Sequence, residues 1–459
     1  MDHGRAFVAE LTSALSRDSI VITDPSIVIA YSRDQAPIAH SGIPIAVLLA
    51  RSESDVAIAL SVASAYQIPV VPRGAGSGLA GGANALDGSL VLSLEQMNAI
   101  LEIDPIDRIA RVEPGVVNLD LDEAVGEFGL SYLPDPASRD WCTIGGNVST
   151  NAGGMCCLKY GVTSDHVIGL RVVLASGEVI RVGRRTLKGV TGLDLLHLFV
   201  GAEGTLGIIT EITVRLADRP NLPATLVATF DSIESAAVAA TAIRKNRTAP
   251  SLLEIIDRTT LAAVESWHPM GLANAGALVI AQFDTEIDMA SQNAIAACLE
   301  HGATNAVAST DPADTADLLA ARKMAYPALD RLGTALLDDV CVPLSKIADL
   351  VIGIEKIGEV NGLKIGIFGH AGDGNMHPTI VYDRGNEIEV AKVETAFEEI
   401  VVLAQSLGGT ASGEHGIGSI KADAASAELG ERVIEIQRAI KLVFDPDSIM
   451  NPGRKFSLF

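Results

Sequence analysis

The chain has 459 residues, more than one hydrophobic core ordinarily serves, so two domains are expected. Hydrophobic residues make up 48% and aromatic residues only 4%, which indicates a globule rich in Ala, Val, Ile and Leu with mixed helices and strands. A formal charge of −23 and a pI near 4.7 argue against nucleic acid and anionic membrane surfaces as partners, and an anionic ligand would need a local cation of its own.

Five cysteines with no C-x-x-C spacing exclude a Cys₄ iron–sulfur or zinc centre drawn from this chain alone. The odd count and the adjacent Cys156-Cys157 pair read as reduced intracellular thiols acting as small buried side chains. The opening Met1-Asp2-His3-Gly4-Arg5 leads into an amphipathic helix and has no signal-peptide core. No apolar run approaches the ~20 residues of a membrane span. A soluble, cytoplasmic protein is expected, with peripheral association at the inner face of the membrane left open.

In chain order, residues 5–17 read as a short helix and 44–49 as an apolar strand. Ser52 or Ser54 can cap a helix running through Tyr66. The strand 69–72 runs into Arg73-Gly74-Ala75-Gly76-Ser77-Gly78-Leu79-Ala80-Gly81-Gly82, whose glycines uncover backbone N–H groups and allow positive φ, as a pyrophosphate-cradling loop requires. Residues 76–81 match G-x-G-x-x-G, but 82–88 cannot begin a good helix and 91–94 is another strand, so a nicotinamide site is rejected. A glycine-rich loop without a ligand remains the alternative. A strand and turn over 109–116 and a helix over 119–128 follow, then Pro134-Asp135-Pro136. A second glycine-rich tract, 143–154, adds Thr143, Asn147 and Asn151, and a third spans 201–209. Residues 210–216 alternate as in a half-buried strand.

Pro220 and Pro223 mark a boundary. Strands at 226–230 and 277–281 are separated by helical patterns such as 232–245 and 286–300. Residues 364–368 and 378–382 read as a hairpin closed by Ala371-Gly372-Asp373-Gly374-Asn375. A cross-strand pairing of His370 with His377 would set their Cβ atoms roughly 5 Å apart, which suits one divalent ion. The competing reading is a surface hairpin with two unrelated histidines. Later, Ser412-Gly413-Glu414-His415-Gly416-Ile417-Gly418 supplies a carboxylate beside another histidine.

The tracts at 73–84, 143–161 and 201–209 resemble the FAD-binding domain of the vanillyl-alcohol oxidase/PCMH-type flavoprotein superfamily. His370, His377 and the 412–418 loop resemble its FAD-linked D-2-hydroxyacid dehydrogenase branch, which includes D-lactate dehydrogenases and the flavin-binding component of glycolate oxidase. The likeness runs to Asn451-Pro452-Gly453-Arg454-Lys455-Phe456. It implies an α+β fold: a PCMH-type FAD-binding domain of two α/β subdomains over 1–219, a cap domain with a central antiparallel sheet over 220–424, and a segment 425–459 returning to the flavin domain.

By the same resemblance, Arg73, Gly74, Ala75, Gly76, Ser77, Gly78 and Gly82 would hold the FAD pyrophosphate. Pro134, Thr143, Gly146, Asn147, Asn151, Gly153, Gly154, Ile209 and Asn451 would also line FAD. Some relatives bond a histidine of the first loop covalently to the flavin. Ser77 and Gly78 stand in that loop here and no histidine does, so FAD is expected to be non-covalent. The resemblance assigns His370, His377 and Glu414 to a divalent metal, zinc with manganese as the alternative. It assigns His415 to the catalytic base and Arg322 to the substrate carboxylate; otherwise His415 is a backbone-bonded loop residue and Arg322 a solvated helix arginine.

Two departures bear on the substrate. D-2-hydroxyglutarate dehydrogenases carry a lysine where Leu336-Leu337-Asp338-Asp339 has no cation, and an asparagine where Thr379 stands. A monocarboxylic D-2-hydroxyacid such as D-lactate is therefore expected over a dicarboxylic one. The expected partners are that small acid, an external electron acceptor (quinone, cytochrome, electron-transfer flavoprotein or O₂) and a second copy of the chain in a homodimer. The alternatives are a metal-free FAD oxidase of another alcohol and a non-catalytic FAD subunit of a larger redox complex.

Overall fold

The computed structural model describes residues 2–16, 18–245 and 249–455. Arg17 of the N-terminal helix and Phe456 of the terminal motif lie outside the described residues. The chain divides into two compact units. The first is Met1–Gly153, Gly161–Arg219 and Glu414–Phe459; the second is Gly154–Tyr160 and Pro220–Gly413.

Among the described residues, the first unit contains a two-stranded ribbon of Leu130–Ser131 with Ala217–Asp218 and two larger sheets, each with its own core. The smaller has the order Ile20–Ile22, Ala46–Leu49, Leu90–Ser93, Val70–Arg73, the last three strands parallel. Its strands read as continuous apolar runs because both faces are covered. Ser52 caps the crossover helix Glu53–Ala65, its hydroxyl accepting from the Asp55 N–H at 3.2 Å. Phe7 and Leu11 of the N-terminal helix join Leu48, Leu60 and Leu92 in the core. The second sheet is antiparallel throughout, in the order Ile100–Asp104, Ile109–Val112, Ile208–Arg215, Val167–Val173, Val179–Gly183. Glu53 ties the two together: it accepts from Arg171 Nε at 2.8 Å and from the Thr210 hydroxyl at 2.9 Å.

The C-terminal segment belongs to this unit. Val70 N–H donates to Ile449 O and Asn451 N–H to Val70 O, both at 2.8 Å. The buried Lys441 ammonium donates to Thr205 O at 2.7 Å and Met450 O at 2.8 Å.

The second unit is built on an antiparallel sheet of eight strands. The order is Ala303–Ser309, Ala224–Phe230, Ala277–Phe283, Leu252–Asp257, Lys364–His370, Asn375–Tyr382, Thr334–Leu337, with Val340–Cys341 also on Asn375–Tyr382. Its central strands are buried along their whole length, so both faces are covered. On one face Leu252, Ile256, Leu278, Ile280 and Phe368 pack with Leu261 and Val264 of helix Arg258–Trp267 and Ala321, Ala325 and Leu329 of helix Pro312–Asp330.

Three details differ from the sequence reading. The chain rejoins the first unit at Glu414, ahead of the expected boundary after 424, because the buried Glu203 carboxylate accepts from the Ile417 and Gly418 N–H groups at 2.8 and 2.7 Å. Residues 154–160 group with the second unit, where Leu158 packs on Gly372 and Lys159 and Tyr160 both bond to Asp284. The second glycine tract contains a helix, Ile144–Thr150, in which a side chain at Gly145 would strike Pro114. Cys142 and Cys298 are buried, whereas the Cys156-Cys157 pair is only half-buried.

Candidate active site

In the first unit the glycine tracts converge. Arg73 ends a strand, and its guanidinium curls over Gly76, whose φ of +75° suits glycine and where a Cβ would fall 2.2 Å from an Arg73 nitrogen. A Cβ on Gly74 would fall 2.5 Å from Thr143 Oγ1, so the first tract lies directly on the second. Thr143 caps the helix, accepting from Gly146 N–H at 3.3 Å. Asn118 fixes two further expected residues, donating to the Pro134 carbonyl and to Asn147 Oδ1, each at 3.1 Å. Asn451 clamps the first tract to the third by donating to Gly82 O at 2.9 Å and Glu203 O at 2.7 Å. Asn151 ends the helix in the left-handed conformation, and Ile209 is buried in the second core. Gly153 closes this set; Gly154 groups with the second unit.

Around the first tract, buried polar atoms lack protein partners: Arg73 Nη1, Ser419 Oγ, Asn451 Oδ1 and Arg454 Nε. Burial pulls both guanidinium groups down from their ordinary pKa, against the attraction of Asp34. An orphaned guanidinium N–H beside a loop of exposed backbone donors fits a phosphate-bearing cofactor.

In the second unit, the hairpin register pairs Phe368 with His377 and His370 with Asn375. His370 and His377 are therefore diagonal neighbours on one face; they lie nearly opposite each other, as the sequence suggests, but do not form a cross-strand pair. The four-residue reversal 371–374 offsets them by one step of the pleat, and their ring centroids still lie 4.9 Å apart at 88°. The adjacent strand pairs Ile256 with Phe368 and Ile255 with Gly369, so the same register sets Glu254 opposite His370. Glu254 Oε1 meets His370 Nδ1 at 2.7 Å, and Oε2 accepts from Arg322 Nε at 2.5 Å. The Arg322 Cζ stands 4.8 Å above the Phe368 ring. Burial works to raise the Glu254 carboxyl, but His370 and Arg322 together outweigh it and hold its pKa at about 2. His377 Nδ1 is 3.9 Å from Asp339 Oδ1, and Asp339 accepts from the Ser412 hydroxyl at 2.7 Å. Two close imidazoles, one oriented by a carboxylate, fit a borderline-soft divalent ion.

Glu414 and His415 belong to the first unit. Glu414 lies against Gly153, and His415 Nε2 is 3.5 Å from Glu414 Oε1. Sequence reading passed over Glu254, Asn118 and Glu203. Glu254 is a lone polar residue in the apolar run 252–256, and that contrast was the signal available; Glu203 lies within the third glycine tract, and Asn118 stands among other polar residues.

The model of the FAD linked oxidases C-terminal domain matches residues 219–454, and that of the FAD binding domain matches residues 44–183. The chain belongs to the FAD-linked oxidase family, with a PCMH-type FAD-binding domain, and is an FAD-dependent oxidoreductase. It is 42% identical over 436 residues to the glycolate oxidase subunit GlcD of Bacillus subtilis (strain 168), covering 94% of this chain and 92% of that one. It is 34% identical to a D-lactate dehydrogenase of Anaerostipes hadrus, covering 92% of each. The fold is that of p-cresol methylhydroxylase, with a TM-score of 0.82 at 19% identity over 99% of this chain and 97% of that one. No helix among the described residues is long and apolar enough to cross a membrane.

Proposed function

We propose that the protein is an FAD- and divalent-cation-dependent dehydrogenase of small D-2-hydroxyacids, monocarboxylic ones such as D-lactate and glycolate being favoured over 2-hydroxyglutarate. One observation carries the reading: a single sheet face presents His370, His377 and Glu254 beside the buried Arg322. The names of the Bacillus and Anaerostipes relatives support the substrate class. FAD held by the first unit's glycine tracts would supply the acceptor for the substrate's α-hydrogen, which leaves as hydride. A divalent cation, zinc or manganese, would be held by His370 and His377 and would supply Lewis acidity that lowers the pKa of the substrate hydroxyl.

The chain's own residues do the rest. Arg322 pairs with the substrate carboxylate, the local cation that a chain of net charge −23 must supply to hold an anion. His415 takes the hydroxyl proton as the 2-oxoacid forms. Without a cation near residues 336–339, a second carboxylate would be desolvated beside Asp338 and Asp339. Arg73 and the 74–78 loop hold FAD without a covalent bond, so denaturation should release the flavin from the polypeptide. An outside acceptor would then be needed to take the electrons from the flavin. The Bacillus relative is named a subunit, which favours a flavin subunit working within a larger redox assembly.

The test is anaerobic reduction of the bound flavin by D-lactate, glycolate, L-lactate and D-2-hydroxyglutarate. Bleaching by the first two, abolished by EDTA and restored by Zn²⁺ or Mn²⁺, is expected. Bleaching that ignores EDTA would instead support a metal-free flavin oxidase.

A further inference from the structure

A carboxylate in the middle of a fully covered sheet is costly to bury, and a β-branched residue would serve the strand better if packing were all that mattered. Glu254 occupies such a place: its strand is buried at every position and its own side chain is fully buried. Both its oxygens are engaged, and on different elements. Oε1 meets His370 on the neighbouring strand, and Oε2 meets Arg322 on the helix Pro312–Asp330.

We propose that Glu254 is a positioning residue that couples the cation end of the site to the substrate-carboxylate end. This rests on the reading above, in which His370 ligates the cation and Arg322 the substrate. A carboxylate on Nδ1 fixes the imidazole ring and makes Nε2 the lone-pair nitrogen, the arrangement that raises ligand basicity. On its other oxygen, the Arg322 Nε contact sets the plane of the guanidinium, and the Phe368 ring 4.8 Å from Cζ limits its tilt. The guanidinium therefore offers its terminal N–H groups to a ligand in one orientation. His377 is supported otherwise, by Asp339, which is held in turn by Ser412. Displacing Glu254 thus disturbs one cation ligand and the substrate anchor together, and leaves His377 in place.

The experiment uses the full-length flavin-loaded protein. Zn²⁺ affinity is measured without substrate, by competition with a chelating dye. KM and kcat for D-lactate, flavin content per chain and the melting temperature are measured alongside. Glu254→Gln is expected to weaken Zn²⁺ binding about 10–100-fold and to raise KM about tenfold or more, with flavin content unchanged. Should the Gln variant not fold, Glu254→Asp keeps the charge but is too short to meet both partners. It is expected to lose one of the two properties, Zn²⁺ affinity or KM, while still binding flavin. A wild-type chain that binds Zn²⁺, with variants matching it in both affinity and KM, would overturn the coupling alone. A wild-type chain that takes up no Zn²⁺ would overturn the functional reading and the coupling with it.

Discussion

At the scale of single residues, candidate side chains stood out when their neighbours were unusual. His370, His377, Glu414 and His415 stand in glycine-rich surroundings that no helix or plain strand would need. Glu254 was not, because its sequence neighbours Leu252, Leu253, Ile255 and Ile256 read as a buried strand and its partners lie 68 and 116 residues away. His415 is the residue assigned to the proton. Replacing it by glutamine keeps a polar side chain but removes the base. Anaerobic flavin reduction by D-lactate should slow about 10²–10⁴-fold, with flavin content unchanged. A rate within threefold of wild type would move the base elsewhere.

At the scale of elements, strands and helices flanking the glycine tracts appear close to where apolar runs and caps put them, as with the Ser52-capped helix. Register was less accessible. A turn one residue longer or shorter changes which side chains face each other, and only the paired backbone reveals that His377 meets Phe368. The link between the two larger sheets of the first unit also spans distant elements, with Glu53 receiving Arg171 and Thr210. The Arg171 hydrogen bond is the largest influence on the Glu53 carboxyl, and burial opposes it; the net result is a pKa below 4.5. A depressed carboxyl stabilises the fold above its unfolded pKa and loses that contribution as pH falls through the folded value. Glu53→Gln should therefore lower thermal stability at pH 7 by about 1 kcal/mol or less, given the partial exposure of the pair. The difference from wild type should shrink as the pH falls below 4.5. A deficit independent of pH would point to lost packing instead.

At the scale of the whole molecule, the charge of −23 acts on every small anion that approaches. Raising ionic strength from about 0.01 M to 0.15 M shortens the Debye length from about 30 Å to about 8 Å. For an anionic hydroxyacid, kcat/KM should rise over that range, the reverse of the usual loss for an electrostatically steered enzyme. A fall would mean that the local field of Arg322 outweighs the rest of the chain. Composition and apolar periodicity determined by themselves a two-unit globule of mixed helices and sheets with glycine-rich loops, since those features are local and repeat along the chain; the flavin followed only from the resemblance of those loops, in their order, to a known family. The tertiary structure alone decided that the chain rejoins its first unit at Glu414, that the two imidazoles sit on a diagonal, and that Glu254 joins one of them to Arg322. Those depend on backbone register and on charges brought together from distant segments, which linear spacing does not encode.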